Sequence, residues 1–473
     1  MDRSLLLPPE LLSAIFDSLL FRDIVRASLV SARWRVVAIA HPGYWSCVCV
    51  EEGHEPGFIK TGRFELATAQ LVCSTLAPID VAMTLLGSQA PQAELTDVAA
   101  AKGRLIAAFQ ANLYRCRSIR LRVTDPNVLL SAFTFSDATA PLLRTLDLST
   151  NGPMHYGQLM MSPLGSSVAS RVCVLRLAGI SIAGFDSHPP FSSVEELSLQ
   201  AGSYYAFQDF DGLFAVFPTL KHLLIDDTIV RDVEVARTPS VRAALPRLAK
   251  LSLLRGGCDI IAVPSEVRRC LSRIPDISLD SPGTHGAQVF IADFIEALSD
   301  DTTPHSLNFG LGTRSDYRAR VMTLEALPQR LARRISCIPH DWPWLTGLTL
   351  HALLPHIDAI TLPISDWSIL FGRRRTFSKL QTIVIIMDED LSAEFSVQPY
   401  LSMEHVEASG LQTIVLQRDN ASDCSTVEVD MLAAFMGGIP KVADLLRLEL
   451  HGIALCGAIE PLRRSSKEIV TLA

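Results

Sequence analysis

The sequence predicts an α/β fold in which a short N-terminal helical domain is followed by a long solenoid of strand–helix repeats. Residues 7–45 have a helical pattern with apolar side chains on more than one face. Beyond them, one short β-favouring pattern recurs at nearly regular spacing. The chain has 473 residues, 48% hydrophobic and 19% charged, and is therefore long and apolar enough for several domains or an elongated array.

The first helix carries more apolar surface than a forty-residue unit can bury. At about 100° per residue its apolar side chains fill half of the circumference, whereas a helix that packs on a single core needs a narrower stripe. A segment that only capped the repeats would not need two apolar faces. We therefore expect a partner protein for the residues in this half-circle, which are Leu11, Leu12, Ile15, Phe16, Leu19 and Leu20.

The same segment carries a longer set of residues in a specific order and spacing. They are Leu7-Pro8, Glu10-Leu11-Leu12, Ile15-Phe16, Leu19, Asp23-Ile24, Ser28-Leu29-Val30, Trp34-Arg35, Ala38, Pro42 and Trp45. In this order and spacing the segment resembles the F-box. The departures are small, with Ile24 where the family usually has leucine and Ser31 where cysteine is common.

This resemblance implies a three-helix domain that docks on the Skp-type adaptor of a cullin-RING (SCF-type) ubiquitin ligase. It also implies that the protein is a non-catalytic receptor, since the cullin-RING core transfers ubiquitin. The residues expected at the adaptor are Leu7, Pro8, Leu11, Leu12, Ile15, Phe16, Leu19, Leu29 and Trp34.

In the repeated pattern, an apolar residue is followed by further apolar residues three and five positions later. Its first seven copies have their central apolar residues 27, 29, 22, 26, 28 and 26 positions apart, at Ile119, Leu146, Leu175, Leu197, Leu223, Leu251 and Ile277. Less regular copies follow at Leu307 with Phe309, LTGLTLH at 345, IDAITLP at 357, LQTIVII at 380, LQTIVLQ at 411 and LLRLELHGI at 445.

Helical stretches that end at a proline or another break separate these strands, as in GLFAVFPTL and MLAAFMGGIP. Strand, helix and break together resemble the leucine-rich-repeat horseshoe, with parallel strands on the concave face and helices on the convex face. The family's asparagine or cysteine at the ninth repeat position is present only once, at Asn151. The array should be irregular, because the equivalent places hold Ile180, Gly202, Thr228 and Ile453.

We expect an F-box domain at 1–50, a linker and N-terminal cap at 51–115, and the irregular repeat domain at 116–473. Residues 281–344 fit the repeat poorly. They combine a helical pattern from Ala287 to Leu298 with an arginine-rich segment from Arg314 to Arg334. Either an insertion or a distorted pair of repeats accounts for them.

Alternate positions of each predicted strand should point to the concave face, opposite the core. Side chains of both signs occur there, which suits a protein segment better than a polyanion. We therefore expect an unknown protein substrate to bind at Arg120, Arg122, Asp147, Arg176, Glu196, His222, Lys250, Asp280, His351, Gln417, Glu449 and His451.

Sequence motifs for catalysis are missing. There is no P-loop, no HExxH and no correctly spaced nucleophile elbow, and His351 and His356 are badly spaced for a shared metal on one helix face. No cofactor or metal is expected. A hydrolase assembled from distant residues stays as an alternative, as does a scaffold that binds the adaptor without degrading its partner.

The net charge of −8 gives no reason to expect binding to nucleic acid or to a membrane. Arg373, Arg374 and Arg375 form a tight basic triplet. A solvated helix face or helix C-terminus explains this triplet more simply than an acidic or phosphorylated partner does. Ten cysteines without a CxxC pair favour a reduced cytoplasmic or nuclear location. No apolar run reaches the ~20 residues of a membrane span, and the proline-broken N-terminus does not favour a signal peptide.

Together, an F-box and irregular repeats resemble the expanded F-box families of filamentous, especially mushroom-forming, fungi.

Overall fold

The computed structural model divides the chain into two compact units, Met1–Ile229 and Val230–Ala473. The structure describes residues 7–19, 21–52, 61–74, 77–85, 92–124, 128, 140–155, 171–181, 191–200, 214, 216–226, 247–254, 274–280, 305–311, 320–326, 331–337, 356–364, 367, 375–387, 406–418, 425–437, 447–464 and 466–472.

The first unit begins with helices, as the sequence predicts, although the described residues of this segment form four helices and not the expected three. They are α1 (Pro9–Asp17), α2 (Phe21–Ala27), α3 (Ala32–Ala40) and the short α4 (Pro42–Ser46). Proline opens α1 and α4, where its missing N–H costs nothing. Ser31 caps α3 by accepting a hydrogen bond from the Trp34 amide, so the residue that departs from the F-box pattern has a clear structural role.

Parallel strands follow in chain order. The elements are β1 (Cys47–Glu51), α5 (Thr61–Cys73), β2 (Ile79–Leu85), α6 (Gln92–Ala111), β3 (Cys116–Val123), β4 (Thr145–His155), β5 (Val174–Ser181), β6 (Glu196–Gln200) and β7 (His222–Asp226). Each strand pairs in parallel with the next, from β1 to β7. Strand β2 lies within residues 51–115, which the sequence predicts as a linker and N-terminal cap.

The register confirms the predicted strand spacing in this unit. Ile119, Leu146, Leu175, Leu197 and Leu223 are direct neighbours across β3 to β7. All five are buried, with the polar residues beside them on the other face of the sheet. Each 22- to 29-residue step along the chain therefore advances the sheet by one strand.

The second unit contains β8 (Lys250–Leu254), β9 (Asp276–Asp280), β10 (His305–Leu311), β11 (Arg320–Ala326), β12 (Leu331–Cys337), β13 (Ile357–Pro363), β14 (Arg375–Thr376), β15 (Thr382–Met387), β16 (Val406–Glu407), β17 (Thr413–Arg418), β18 (Ser425–Glu428), α7 (Val429–Gly437), β19 (Arg447–His451), β20 (Ile453–Cys456), α8 (Glu460–Arg463) and β21 (Glu468–Leu472). The main sheet runs β8-β9-β12-β11-β10-β13-β15-β17-β19-β21. Pairs β14–β16 and β18–β20 lie outside it.

An antiparallel segment interrupts this otherwise parallel sheet. Strands β10, β11 and β12 pair antiparallel to one another, whereas β12 pairs in parallel with β9 and β10 in parallel with β13. A purely parallel solenoid is therefore too simple, and the arginine-rich stretch supplies two strands that the repeat pattern did not predict. The predicted helix at 287–298 and the LTGLTLH copy at 345 lie outside the described residues.

Two nearly identical sequences, LRLAGI at 175 and LELHGI at 448, form the same backbone turn. Gly179 and Gly452 both have positive φ, at 73° and 68°, and each precedes a buried isoleucine. At Gly179 an added Cβ would lie 1.9 Å from the carbonyl oxygen of Thr150. At Gly452 an added Cβ would have room, 3.9 Å from the nearest atom, so there only the positive φ favours glycine.

Candidate functional site

Phe16 is the centre of the N-terminal helical core. Its fully buried ring packs against Ile24, Ala38 and Tyr44. The Phe16 ring centroid lies 5.7 Å from that of Trp34 and 5.9 Å, edge-on, from that of His41. These contacts join α1 to α3 and α4 and close one apolar face of the first helix.

His41 fixes the junction between α3 and α4. Its Nδ1 accepts a hydrogen bond from the Gly43 amide at 3.0 Å, and its Nε2 lies 3.0 Å from an Asp17 carboxylate oxygen. Because Nδ1 is the acceptor, the neutral ring carries its proton on Nε2 and donates it to Asp17. The end of α1 is thereby tied to the start of α4.

The second apolar face of α1 points outward. Leu11 is 52% exposed and Ile15 is 39% exposed, one helical turn apart. Leu29 and Val30, in the turn that follows α2, are 70% and 65% exposed. The surplus of apolar surface inferred from the sequence is therefore present, and a partner could cover these side chains.

The nine residues expected at an adaptor fall into three groups. Pro8, Leu11, Ile15 and Leu29 are exposed, whereas Leu7, Leu19 and Trp34 are partly buried. The other two, Leu12 and Phe16, are fully buried, so they support the helices from inside and are not accessible to a partner in this structure. Leu20 lies outside the described residues.

A groove of about 510 Å³ runs between α1 and α3. Its apolar wall comes from Pro9, Val36, Val37 and Ala40, with Glu10, Ser13 and Arg33 supplying the polar atoms. The guanidinium of Arg33 donates to the Leu7 carbonyl oxygen and so joins α3 to the segment before α1.

The first unit also has an open face, which we define as the side of the sheet that carries Arg120, Asp147 and Arg176. These residues are neighbours in one row across β3, β4 and β5. The same face carries the other substrate-face candidates of this unit, Arg122, Glu196 and His222. The six predicted positions are thus brought together as the alternation predicted.

Ion pairs connect much of this open face. Arg120 Nε lies 3.0 Å from an Asp147 carboxylate oxygen, and the Arg176 guanidinium lies 2.8 Å from a Glu196 carboxylate oxygen. A third pair joins Arg117 to Asp80 at 2.7 Å. In each pair the arginine is more than a third exposed, so each pair contributes at most about 1 kcal/mol to stability and chiefly fixes side-chain positions.

In the second unit, Arg447, Glu449 and His451 share one face of β19. Glu449 Oε2 lies 3.0 Å from His451 Nε2. Its Oε1 lies 2.7 Å from Arg447 Nε, although the N–H does not point along that line, so this contact is ionic only. Gln417 is the neighbour of His451 on β17.

Two further candidates belong to the second unit's strands β8 and β9. The Lys250 ammonium nitrogen lies 3.2 Å from an Asp276 carboxylate oxygen. Asp280 ends β9. His351 lies outside the described residues.

The sequence pattern missed the part of the open face that β1 and β2 contribute. Asp80 and Thr84 are neighbours of Ser118 and Arg122, and Cys49 is the neighbour of Ala82. Burial, followed by the nearby Glu51 carboxylate, raises the pKa of the Cys49 thiol. The alternation of Cys47 and Cys49 was the available signal for this first strand.

Among the described residues, no group of three or more His, Cys, Asp or Glu side chains could hold a metal ion. No described helix is long and apolar enough to cross a membrane.

Residues 5–51 match the F-box-like family model. The chain therefore carries an F-box-like domain at its N-terminal end, in the segment that contains α1 to α4 and β1. A search of curated proteins finds no match to the chain.

Proposed function

We propose that this protein is the substrate-recognition subunit of an SCF-type ubiquitin ligase. Its F-box-like domain binds a Skp-type adaptor, and through it a cullin, while its strand array binds a protein substrate. The protein itself is non-catalytic and supplies proximity. The observation that carries the proposal is the match of residues 5–51 to the F-box-like family model. In this domain Leu11, Ile15 and Leu29 are exposed, outside the buried core.

Exposed apolar side chains support the adaptor half of this proposal. Leu11, Ile15 and Leu29 lie outside the core that Leu12 and Phe16 help to form, so a partner can cover them without unpacking the domain. Leucine and isoleucine gain about 1.5–3 kcal/mol on full burial. We assign the direct contacts to the exposed residues and the shaping of the surface to the buried ones.

The strand array supports the recognition half. Parallel strands with in-register apolar residues every 22 to 29 positions are typical of leucine-rich repeats, and such arrays present broad binding surfaces. The irregular ninth position and the antiparallel strands β10 to β12 indicate a divergent array. We extend the proposal to a cytoplasmic or nuclear protein of the fungal F-box type that the sequence resembles.

The adaptor half can be tested by pull-down of a purified Skp-type adaptor with the full-length protein. A Leu11→Asp, Leu29→Asp variant places charge on two exposed positions and should lose the adaptor. The matched control is Leu66→Asp, Val72→Asp, which changes two exposed apolar residues of α5. Retention of the adaptor by the first variant, or its equal loss by both, would refute the docking assignment.

A further inference from the structure

The arginines on the open face of the first unit are not all alike. Arg120 and Arg176 each lie beside a carboxylate on the next strand, at 3.0 Å and 2.8 Å. Their charges are therefore locally balanced. Arg122, two positions after Arg120 on β3, is exposed and has no charged or hydrogen-bonding partner in the part of the chain that the structure describes.

Hydroxyl groups flank Arg122 on both sides. Its neighbour on β2 is Thr84 and its neighbour on β4 is Ser149. Adjacent strands lie about 4.8 Å apart, so both hydroxyls are within reach of a group bound at the guanidinium. The arginine guanidinium offers only hydrogen-bond donors, and each of the two hydroxyls can donate one further hydrogen bond. The cluster therefore suits an acceptor with negative charge.

Small side chains leave room above this cluster. Ala178 is the neighbour of Ser149 on β5, and Ala82 is the neighbour of Arg120 on β2. Neither can reach over Arg122 to cover it. Within the described strands, a side chain from another protein can therefore approach the guanidinium directly.

The charge balance indicates which anion fits. Arg122 contributes a single uncompensated positive charge, which one carboxylate would neutralise. A phosphate group carries about −1.5 to −2 and would leave excess negative charge near Asp147 and Glu51. The backbone of Glu51 lies in the same row beyond Thr84, about 10 Å from that of Arg122 at the usual strand spacing, and no ion pair joins the two side chains among the described residues.

We propose that Arg122, with Thr84 and Ser149 beside it, receives an aspartate or glutamate side chain from an acidic segment of the protein partner. Arginine and carboxylate form two parallel hydrogen bonds, which give direction as well as attraction. This inference rests on the proposed function, because it names the class of substrate that the open face would take.

The test begins with selection of phage-displayed random decapeptides on the full-length protein. Selected peptides are then synthesised with a fluorophore, and their Kd is measured by fluorescence anisotropy. We expect enrichment of aspartate and glutamate. Replacing the key acidic residue by its amide should weaken binding at least tenfold, because hydrogen bonds to charged groups are among the stronger ones.

Three variants locate the interaction. Arg122→Gln should weaken binding of the acidic peptides at least tenfold, and Thr84→Val with Ser149→Ala severalfold. Arg464→Gln removes the same charge from an exposed arginine of the second unit and should leave Kd within twofold of wild type. Circular dichroism of each variant confirms that the fold is kept.

The inference fails if no acidic peptide is selected or if Arg122→Gln binds the selected peptides as tightly as wild type. It also fails if a phosphoserine peptide binds more than tenfold tighter than its glutamate counterpart, since the partner would then be a phosphorylated one. Adaptor binding by Arg122→Gln is measured in parallel. Loss of peptide with retention of adaptor leaves the proposed function intact, whereas failure of wild type to bind the adaptor refutes that function separately.

Discussion

Replacing Leu11, Ile15 and Leu29 by alanine should weaken adaptor binding without unfolding the F-box-like domain. The three side chains are 52%, 39% and 70% exposed, so a large part of each is available to a partner. Full burial of one such side chain is worth about 1.5–3 kcal/mol. Alanine retains Cβ, and association has its own entropic cost. The binding free energy should therefore weaken by about 2–3 kcal/mol, roughly a thirty- to 150-fold rise in Kd.

Isothermal titration of the purified adaptor into the full-length protein measures this change. A Leu66→Ala, Val72→Ala variant is the matched control, because these α5 residues are 44% and 66% exposed and lie outside the matched domain. It should bind with the wild-type Kd. A triple variant that binds within twofold of wild type, with an unchanged circular dichroism spectrum, would show that these residues do not form the docking surface.

Further predictions concern the core, a turn and the thiols. Phe16→Ala should lower the free energy of unfolding by about 3–5 kcal/mol, measured by denaturant titration of tryptophan fluorescence, because the ring is fully buried. Gly179→Ala should lower the free energy of unfolding by about 2 kcal/mol or more, because Gly179 has a positive φ. Gly103→Ala should raise it by about 0.5–1 kcal/mol, because there is open space beside this residue of α6. Equal effects of the two variants in thermal unfolding would contradict the turn assignment. Iodoacetamide at pH 8 should modify the exposed Cys73 and spare Cys116, because burial raises the pKa of the Cys116 thiol to about 12. Mass spectrometry identifies the modified residues. The raised pKa disfavours the Cys116 thiolate in the folded state, so stability should fall as the pH rises from 9.0 to about 12.

The N-terminal helix shows how far the sequence pattern reaches. Its periodicity predicts two apolar faces, and both are present. Leu11 and Leu12 are nevertheless consecutive residues of one apolar half-circle, and Leu12 is fully buried whereas Leu11 is 52% exposed. The core around Phe16 of the same helix is completed by Ile24 and Tyr44 from other helices. Local periodicity therefore cannot decide between a core residue and a docking residue.

Local sequence likewise predicts only part of the strand arrangement. Apolar residues with period two predict that a strand exists and which face it buries, and the register of Ile119 to Leu223 confirms this. They do not encode the direction of pairing. RVMTLEA and LARRISC, in β11 and β12, therefore run antiparallel without a distinctive local signal. The isolation of Arg122 likewise depends on its neighbours Thr84 and Ser149, which belong to other strands.

The central claim is that this protein joins a ubiquitin ligase to a substrate, and the turnover of its bound partners tests that claim most directly. Proteins that co-purify with the wild type and with the Leu11, Ile15, Leu29 triple-alanine variant are quantified before and after cullin inhibition. If the chain is a receptor, at least one protein bound by both forms accumulates on inhibition in wild-type cells and is already stable in cells that carry the variant. Partners whose abundance responds to neither change would contradict the claim and identify an adaptor-bound scaffold that does not direct degradation.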